Sequence, residues 1–243
     1  MEERLLVDFF EEEKSHWWHI AKRTLIKSFI QGDHLNILVC GIGGGMICQE
    51  LKKSGHRVVG IDISRASCEY AHKQMGIPVI NGDLEMLLPF IKEYFDIVVI
   101  ADVLEHLDND SQLLKEISLC LKPRGLVFIT VPAYQHMLSI WDKRLQHKRR
   151  YSLTDINKKI FESGLSIKKV SYFHMLLYPF VYLYRKTLNL SKDGDSAKSD
   201  FSIFPSRLVT VLAGCYYCLE RFLLKVVNLP FGLSIFVVGV KHG

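Results

Sequence analysis

The sequence predicts an α/β fold in which a mostly parallel sheet carries helices on both faces. Apolar runs typical of buried strands alternate with helical patterns from residue 36 to residue 131, as in successive β-α-β units. With 243 residues and 49% hydrophobic content, the chain can bury one sizeable core. A single domain over residues 1–243 is therefore expected.

The strands and helices of this fold can be placed in order along the chain. Five strands are predicted near residues 36–40, 57–61, 78–80, 95–100 and 126–131. Helices are predicted near residues 45–54, 65–74, 85–92 and 110–121. Residues 165–172 alternate like a sixth strand, and residues 234–241 are predicted to form a seventh.

The first strand runs directly into a glycine-rich turn, Gly41-Ile-Gly-Gly-Gly45. Because Gly41, Gly43 and Gly45 lack side chains, a ligand can approach the main chain closely. The helix that follows presents the positive end of its dipole to that ligand. A nucleotide-like cofactor is the first hypothesis, and an ordinary tight strand-to-helix connection is the alternative.

Asp62 follows the second strand, about 20 residues after the first glycine of the turn. This spacing places a carboxylate where it can accept hydrogen bonds from both hydroxyls of a ribose. A helix N-cap or turn residue is the alternative, although Ser64 suits the capping role better. Met46 stands where a dinucleotide-binding loop has a third small residue, which favours a mononucleoside-type cofactor over a nicotinamide.

Several segments together resemble the ordered motifs of class I S-adenosylmethionine-dependent methyltransferases, over about residues 36–132. They are the turn Gly41–Gly45, Asp62, Asn81-Gly-Asp83, Phe95–Leu107 and Leu121–Thr130. The resemblance implies a Rossmann-like sheet of seven strands, mostly parallel, whose last strand is antiparallel. It also implies S-adenosylmethionine as the cofactor.

The same resemblance implies roles for individual residues. The glycine loop would hold the methionine part of the cofactor, and Ala101 would lie beside the sulfonium. Asp62, with Ile63 beside it, would hold the ribose. Asp83 would bind the exocyclic amine of adenine, and Leu84 would pack on the face of the adenine ring. Many family members carry Asp or Glu at the position of Val39, so Asp102 is the expected substitute for that carboxylate.

Residues 1–30 are expected to form a helical lid. Trp17 and Trp18 are adjacent and cannot share one helical face, so one of them can cover the cofactor. In similar methyltransferases an N-terminal helix closes over the cofactor, and a basic residue on it can bind the methionine carboxylate of the cofactor. Arg23 is the candidate for this role. The alternative is that the tryptophans only anchor the helix to the sheet.

Candidate catalytic residues follow the fourth and fifth strands. An oxygen or nitrogen acceptor of high pKa benefits from a general base. His106 follows the fourth strand, while His147 and Tyr151 lie in a basic run after the fifth. The alternative for His106 is a residue that stabilises its loop. The alternative for the basic run is a solvated helix face, although the run could also bind a phosphate or carboxylate of the substrate.

Residues 173–232 form an apolar and aromatic helical insertion before the last strand. Its helical runs are shorter than the roughly 20 residues that span a bilayer, so no transmembrane helix is expected. A cap over the substrate, a homodimer contact and peripheral membrane contact stay open. Cys215 and Cys218 lie here without a second pair, so no metal site is expected, and the six cysteines are interpreted as reduced thiols.

Composition limits the partners. The net charge of +5 permits acidic substrates, but the chain lacks a basic tail or an aromatic RNA-binding motif, so no nucleic acid is expected. The N-terminal residues lack a signal-peptide pattern, which favours a cytoplasmic location, with peripheral membrane contact left open.

The sequence therefore predicts methyl transfer from S-adenosylmethionine to a small-molecule or lipid-linked acceptor. An oxygen acceptor is preferred, because Gly41–Met46 and Asp102–Leu107 resemble the quinone-biosynthesis O-methyltransferases. A nicotinamide-dependent oxidoreductase is one alternative, which Met46 and the antiparallel last strand disfavour. A non-catalytic cofactor-binding or membrane-interaction module is the other, suggested by Val39 and the apolar insertion.

Overall fold

The computed structural model of the chain describes residues 10, 13–190 and 207–243. Residues 1–9 and 11–12 of the expected lid lie outside the described residues. So do residues 191–206 of the expected insertion.

One sheet of seven strands forms the centre of the described chain, in the order β3-β2-β1-β4-β5-β7-β6. Strands β1 to β5 pair in parallel, and β7 runs antiparallel to both β5 and β6. The predicted α/β fold with an antiparallel last strand is confirmed. The strands are β1 Asn36–Cys40, β2 Arg57–Asp62, β3 Val79–Asn81, β4 Phe95–Ala101, β5 Leu121–Pro132, β6 Leu165–Phe173 and β7 Ser234–Lys241.

Helices cover both faces of this sheet. One core contains buried side chains of α4 and α6, and the other contains those of α1, α2, α3 and α8. Both cores include residues of β1, β4, β5 and β7, whose side chains alternate between the faces. The helices are α1 Trp17–Phe29, α2 Met46–Lys53, α3 Arg65–Met75, α4 Asp110–Cys120, α5 Ile140–Arg144, α6 Leu153–Glu162, α7 Tyr178–Leu190 and α8 Arg207–Val226.

The helix expected near residues 85–92 is wrong, because turns and irregular chain connect β3 to β4. Pro89 cannot donate a backbone hydrogen bond and disfavours helical geometry at the residue before it. The apolar residues of the segment also lack a common buried face, since Met86, Leu87 and Ile91 are 66%, 77% and 75% exposed. The apolar composition of the segment predicts a helix, but its side chains do not pack against the rest of the protein on one helical face.

The N-terminal helix α1 packs on the insertion helix α8. The Trp17 ring stacks on Tyr217 of α8, with ring centroids 5.8 Å apart. Trp18 stacks on His174, which follows β6, at 3.8 Å. The tryptophans thus use two different faces of α1, and the lid role of this segment stays a prediction.

The insertion contributes α7 and α8 between β6 and β7. No helix among the described residues combines the length and apolarity needed to cross a lipid bilayer.

A buried ionic cluster around Asp142 joins α5, the chain after it and α7. Asp142 is 1% exposed and accepts hydrogen bonds from Arg150 Nη2 at 2.6 Å and His147 Nδ1 at 3.1 Å. Arg185 Nη1 lies 3.2 Å from its other oxygen. Burial alone raises the pKa of this carboxyl, but the His147 hydrogen bond and the two guanidinium groups hold it well below its usual value. The carboxylate is therefore ionised and determines the positions of three side chains.

Replacing Asp142 with Asn should lower the free energy of unfolding by about 3 kcal/mol, because two buried guanidinium groups lose their counter-charge. Asp155→Asn is the matched control, since Asp142 and Asp155 occupy the same capping-box position in α5 and α6, and Asp155 is exposed. The control should cost about 1 kcal/mol or less. Urea unfolding measures both, and equal losses would contradict the buried cluster as the cause.

Candidate active site

The glycine loop connects β1 to α2 at the carboxyl edge of the sheet. Gly41, Gly43 and Gly45 have φ angles of +70°, +54° and +82°, a backbone region that residues other than glycine rarely adopt. A Cβ atom on Gly41 would lie 2.4 Å from Cγ2 of Val103. The loop therefore requires glycine for its backbone conformation and for its close approach to the end of β4.

Asp62 lies beside this loop at the end of β2. Its Oδ2 accepts a hydrogen bond from the Gly43 N–H at 3.2 Å, and its Oδ1 accepts one from the Ser64 N–H at 2.8 Å. Burial raises the pKa of Asp62, and these two N–H groups oppose the rise. Ser64, whose hydroxyl accepts from Ser67 N, is the cap of α3. Ser64 is therefore the N-cap, while the bond from Ser64 N–H to Asp62, two residues before it, is the contact of a turn residue, so the turn alternative for Asp62 stays open.

The segments predicted to hold adenine follow neighbouring strands. Asp62 and Asn81 are register partners, and the Asn81 amide donates to the carbonyl oxygens of Asp62 and Ile63 at 3.0 and 2.9 Å. Ile63 is 69% exposed, Asp83 is exposed and Leu84 is buried. Two accessible side chains and one apolar contact are thus positioned along the same edge as the glycine loop.

Ala101 ends β4 next to the glycine loop, and Asp102 follows it. Asp102 accepts a 2.7 Å hydrogen bond from Thr130 Oγ1 and forms an ion pair with Lys22 of α1. Burial lowers the pKa of Lys22 to about 8. Sequence reasoning missed Lys22, whose only signal was its position beside Arg23 on the expected lid. The charge of Asp102 is balanced by Lys22, so the proposed contact to a cofactor amino group stays a prediction.

Arg23 pairs with other residues in this structure. Its Nε lies 2.8 Å from Glu50 Oε1, and its Nη1 donates to the Glu13 carbonyl oxygen at 2.5 Å. The Glu13 carboxylate in turn accepts the Gly44 N–H at 2.6 Å. Burial raises the pKa of Glu13, and the Gly44 N–H and Arg23 oppose this. Glu13 was not predicted, and it contacts the glycine loop directly, whereas the role of Arg23 stays a prediction.

Two of the three candidate catalytic residues come together. The rings of His106 and His147 meet edge to face with centroids 4.8 Å apart. Burial lowers the pKa of His106 to about 4, so its ring is neutral near pH 7. Tyr151 is instead fully enclosed, and its hydroxyl donates to Asp110 of α4 at 2.6 Å. The structure offers Tyr151 a structural role, and its catalytic role stays a prediction.

Glu105 lies beside this histidine pair and was not singled out from the sequence. Its side chain is fully buried, and burial raises its pKa to about 8. Among the described residues, neither carboxyl oxygen has a hydrogen-bond partner. Glu105 and His106 belong to the short turn Leu104–His106 that follows β4.

Comparison with known proteins bears on this site. Residues 38–129 match the family described as "Methyltransferase domain". The chain is 28% identical over 142 residues to a ubiquinone biosynthesis O-methyltransferase of Proteus mirabilis, covering 51% of this chain and 58% of the relative. A Coxiella burnetii protein of the same name is 29% identical over 140 residues, covering 50% and 58%. The chain thus spans little more than half the length of these curated relatives.

The fold comparison extends over nearly all of the chain. A SAM-dependent methyltransferase from Archaeoglobus fulgidus superposes with a TM-score of 0.61 at 19% identity, covering 96% of this chain and 99% of the other. At such identity the likeness shows the fold, while the family match assigns the region. Residues 38–129 therefore match a methyltransferase domain, and the fold around them is that of SAM-dependent methyltransferase structures. This match disfavours the alternative of a nicotinamide-dependent oxidoreductase.

S-adenosylmethionine fits the residues of this methyltransferase domain. The glycine loop exposes backbone at positions where any Cβ would be strained or crowded. The Asp62 carboxylate lies beside the loop, and the chain after β2 and β3 adds Ile63, Asp83 and Leu84 at the same edge. The predicted cofactor-binding set is therefore gathered at one edge, although the individual contacts to the cofactor stay predictions.

Replacing Asp62 with Asn should weaken S-adenosylmethionine binding by about 1–3 kcal/mol, because a charged acceptor for the ribose hydroxyls is lost. Asp96→Asn is the control. That carboxylate also accepts a backbone N–H, from Asn36 at 2.9 Å, but it lies at the amino end of β4. Titration calorimetry should show a loss for the first variant only. An unchanged affinity in Asp62→Asn would remove the ribose assignment.

Proposed function

We propose that this protein transfers a methyl group from S-adenosylmethionine to an oxygen of a small-molecule or lipid-linked acceptor. One observation carries the proposal. His106 comes directly after β4, at the same edge of the sheet as Ala101 and the glycine loop, and its ring contacts that of His147. The O-methyltransferase relatives, which match the chain over about half its length, support the choice of oxygen.

An aromatic wall beside this edge supports a planar acceptor. Tyr134, just after β5, stacks on Tyr172 of β6 with centroids 5.1 Å apart and planes 16° apart. Tyr178 of α7 contacts the same ring at 5.2 Å. Burial and the neighbouring Tyr172 raise the pKa of Tyr134, so its phenol stays neutral. Neutral aromatic faces of this kind pack favourably against another aromatic ring.

The proposed division of labour follows from these positions. The bound cofactor supplies an electrophilic methyl group. The chain binds and orients the two reactants, which is where most of the rate advantage of such a displacement arises. Asp62 and the glycine loop hold the donor side, the tyrosine wall holds the acceptor ring, and His106 and His147 form the polar end that receives the acceptor hydroxyl.

Purified protein with methyl-labelled S-adenosylmethionine should methylate a dihydroxybenzoate or its prenylated form at oxygen, as read by mass spectrometry of the product. Asp96→Asn should retain turnover, and Asp62→Asn should lose it at low cofactor concentration. Label on nitrogen or carbon would contradict the oxygen acceptor. Cofactor binding without turnover of any acceptor in a metabolite and lipid extract would instead support the non-catalytic alternative.

Exposed apolar side chains of the insertion support a lipid-linked acceptor and peripheral membrane contact. Phe180 and Leu183 of α7 are 58% and 60% exposed, and Leu219 and Phe222 of α8 are 58% and 65% exposed. Large exposed apolar side chains grouped on one segment are typical of protein or membrane contacts. Arg221 beside Phe222 adds a positive charge that suits anionic lipid.

Phe222→Ser should lower binding to vesicles containing anionic lipid by about 10-fold, since inserting one aromatic ring contributes roughly 1.5 kcal/mol or more. Phe161→Ser is the matched control, because Phe161 on α6 is 81% exposed and lies outside the insertion. Co-sedimentation measures the bound fraction. Equal losses would contradict the lipid contact, and absent vesicle binding with a doubled mass in sedimentation would favour a homodimer through α7 and α8.

A further inference from the structure

The segment before and within α1 packs directly on the glycine loop. Oε2 of Glu13 accepts a hydrogen bond from the Gly44 N–H at 2.6 Å. A Cβ atom on Gly44 would lie 2.5 Å from this oxygen and 2.9 Å from Cδ1 of Phe10. Phe10 is buried, and its ring contacts that of Tyr70 on α3 with centroids 4.5 Å apart. The segment therefore covers the backbone of Gly44, whose N–H group already binds a carboxylate.

A second contact of the same segment lies directly after β4. Lys22 of α1 forms an ion pair with Asp102, whose other carboxylate oxygen accepts a hydrogen bond from the Thr130 hydroxyl at 2.7 Å. The Lys22 side chain is 8% exposed, whereas that of Asp102 is 30% exposed. Lys22 therefore neutralises a partly exposed carboxylate at the edge of the sheet that carries the glycine loop.

The two contacts belong to one unit. Arg23 Nη1 donates to the Glu13 carbonyl oxygen at 2.5 Å, and Arg23 Nε lies 2.8 Å from Glu50 Oε1 of α2. Burial raises the pKa of Glu13 and lowers that of Lys22, whereas the attraction between the two charges opposes both shifts. A carboxylate and an ammonium group of the protein are thus held near one another, one on the glycine loop and one on Asp102.

The methionine end of S-adenosylmethionine carries the same two charges, a carboxylate and an ammonium group. Backbone N–H groups at a glycine-rich turn bind anionic groups, and a carboxylate binds an ammonium group. The glycine loop and Asp102 are the groups that the sequence predicts for this end of the cofactor. In this structure Glu13 binds the Gly44 N–H and Lys22 binds Asp102. The segment and the cofactor would therefore use the same binding groups.

We propose that residues 13–22 are an intramolecular competitor of S-adenosylmethionine, in which Glu13 and Lys22 imitate the carboxylate and the ammonium group of its methionine end. Cofactor binding then requires Glu13 to leave Gly44 and Lys22 to leave Asp102. Only molecules in which these contacts are open bind the cofactor, so the observed affinity is reduced by their fraction. The proposal rests on the predicted cofactor contacts. A lid that binds the cofactor would instead strengthen binding, so the two roles predict effects of opposite sign.

Two ligands separate the competitor from other effects. S-adenosylhomocysteine and 5′-methylthioadenosine share the adenosine part, but only the first carries the amino-acid end. Glu13→Ala and Lys22→Met should each bind S-adenosylhomocysteine about 10-fold more tightly than the unchanged protein, with equal affinity for 5′-methylthioadenosine. Titration calorimetry on the whole chain measures both affinities. Weaker or unchanged binding of S-adenosylhomocysteine in both variants would overturn the proposal.

Two further variants are the controls. Lys27→Met removes an exposed lysine from the same helix, and Glu162→Ala removes an exposed carboxylate from α6. Neither should change the affinity for either ligand. Circular dichroism checks that each variant is folded, and if Lys22→Met misfolds, Glu13→Ala decides. A gain in the controls equal to that in Glu13→Ala would overturn the competitor as the cause.

Hydrogen–deuterium exchange measures the displacement itself. Adding S-adenosylhomocysteine to the unchanged protein should slow exchange in residues 41–46 and speed it in residues 13–18, because the segment loses its contacts. Slower exchange in both regions would indicate a closing lid and overturn the proposal.

Failure of the proposed function is distinguishable, because neither measurement contains an acceptor. A different methyl acceptor would leave both results unchanged. Absent binding of both ligands would overturn the cofactor assignment and this proposal with it.

Discussion

The parallel register of β1 between β2 and β4 is the constraint on which the site depends. Val39 is the register partner of Gly60 on one side and of Val99 on the other. The three strands therefore end together, and Gly41, Asp62 and Asp102 follow at one edge. The close approach is strict, because a Cβ atom on Gly60 would lie 2.5 Å from Ile42 Cγ2. Any shift of register would separate the loop from the carboxylate that holds it.

Three carboxylates near this edge are balanced by contacts within the protein. Asp102 is paired with Lys22, Asp142 with Arg150 and Arg185, and Asp62 with backbone N–H groups. Through these ion pairs, Lys22 of α1 and Arg185 of α7 contact the site. The N-terminal helix and the insertion are therefore held against the site by electrostatic contacts. Glu105 differs from these three carboxylates, because within the described residues its buried carboxyl oxygens have no hydrogen-bond partner and burial raises its pKa to about 8.

The periodic patterns were sufficient to predict every strand and most of the helices, because strand burial and glycine turns are local properties of the sequence. The helix expected near residues 85–92 is wrong because apolar composition alone does not show that side chains pack together. Met86 and Leu87 project outward while Leu88 packs in the core, so the apolar side chains do not share one buried helical face, and Pro89 already disfavours a helix. Strand ends differed by a residue or two, except that β5 begins five residues earlier than predicted, at Leu121.

By itself the sequence determined the sheet, the glycine loop and the carboxylate after β2, since all of these depend on residues close together along the chain. Only the tertiary structure decided which distant side chains meet. It brought Lys22 to Asp102, Glu13 to Gly44, and His147 to Glu105 and His106. It also gave Tyr151 to Asp110. Side-chain partnerships across loops depend on packing and burial, which no local pattern records.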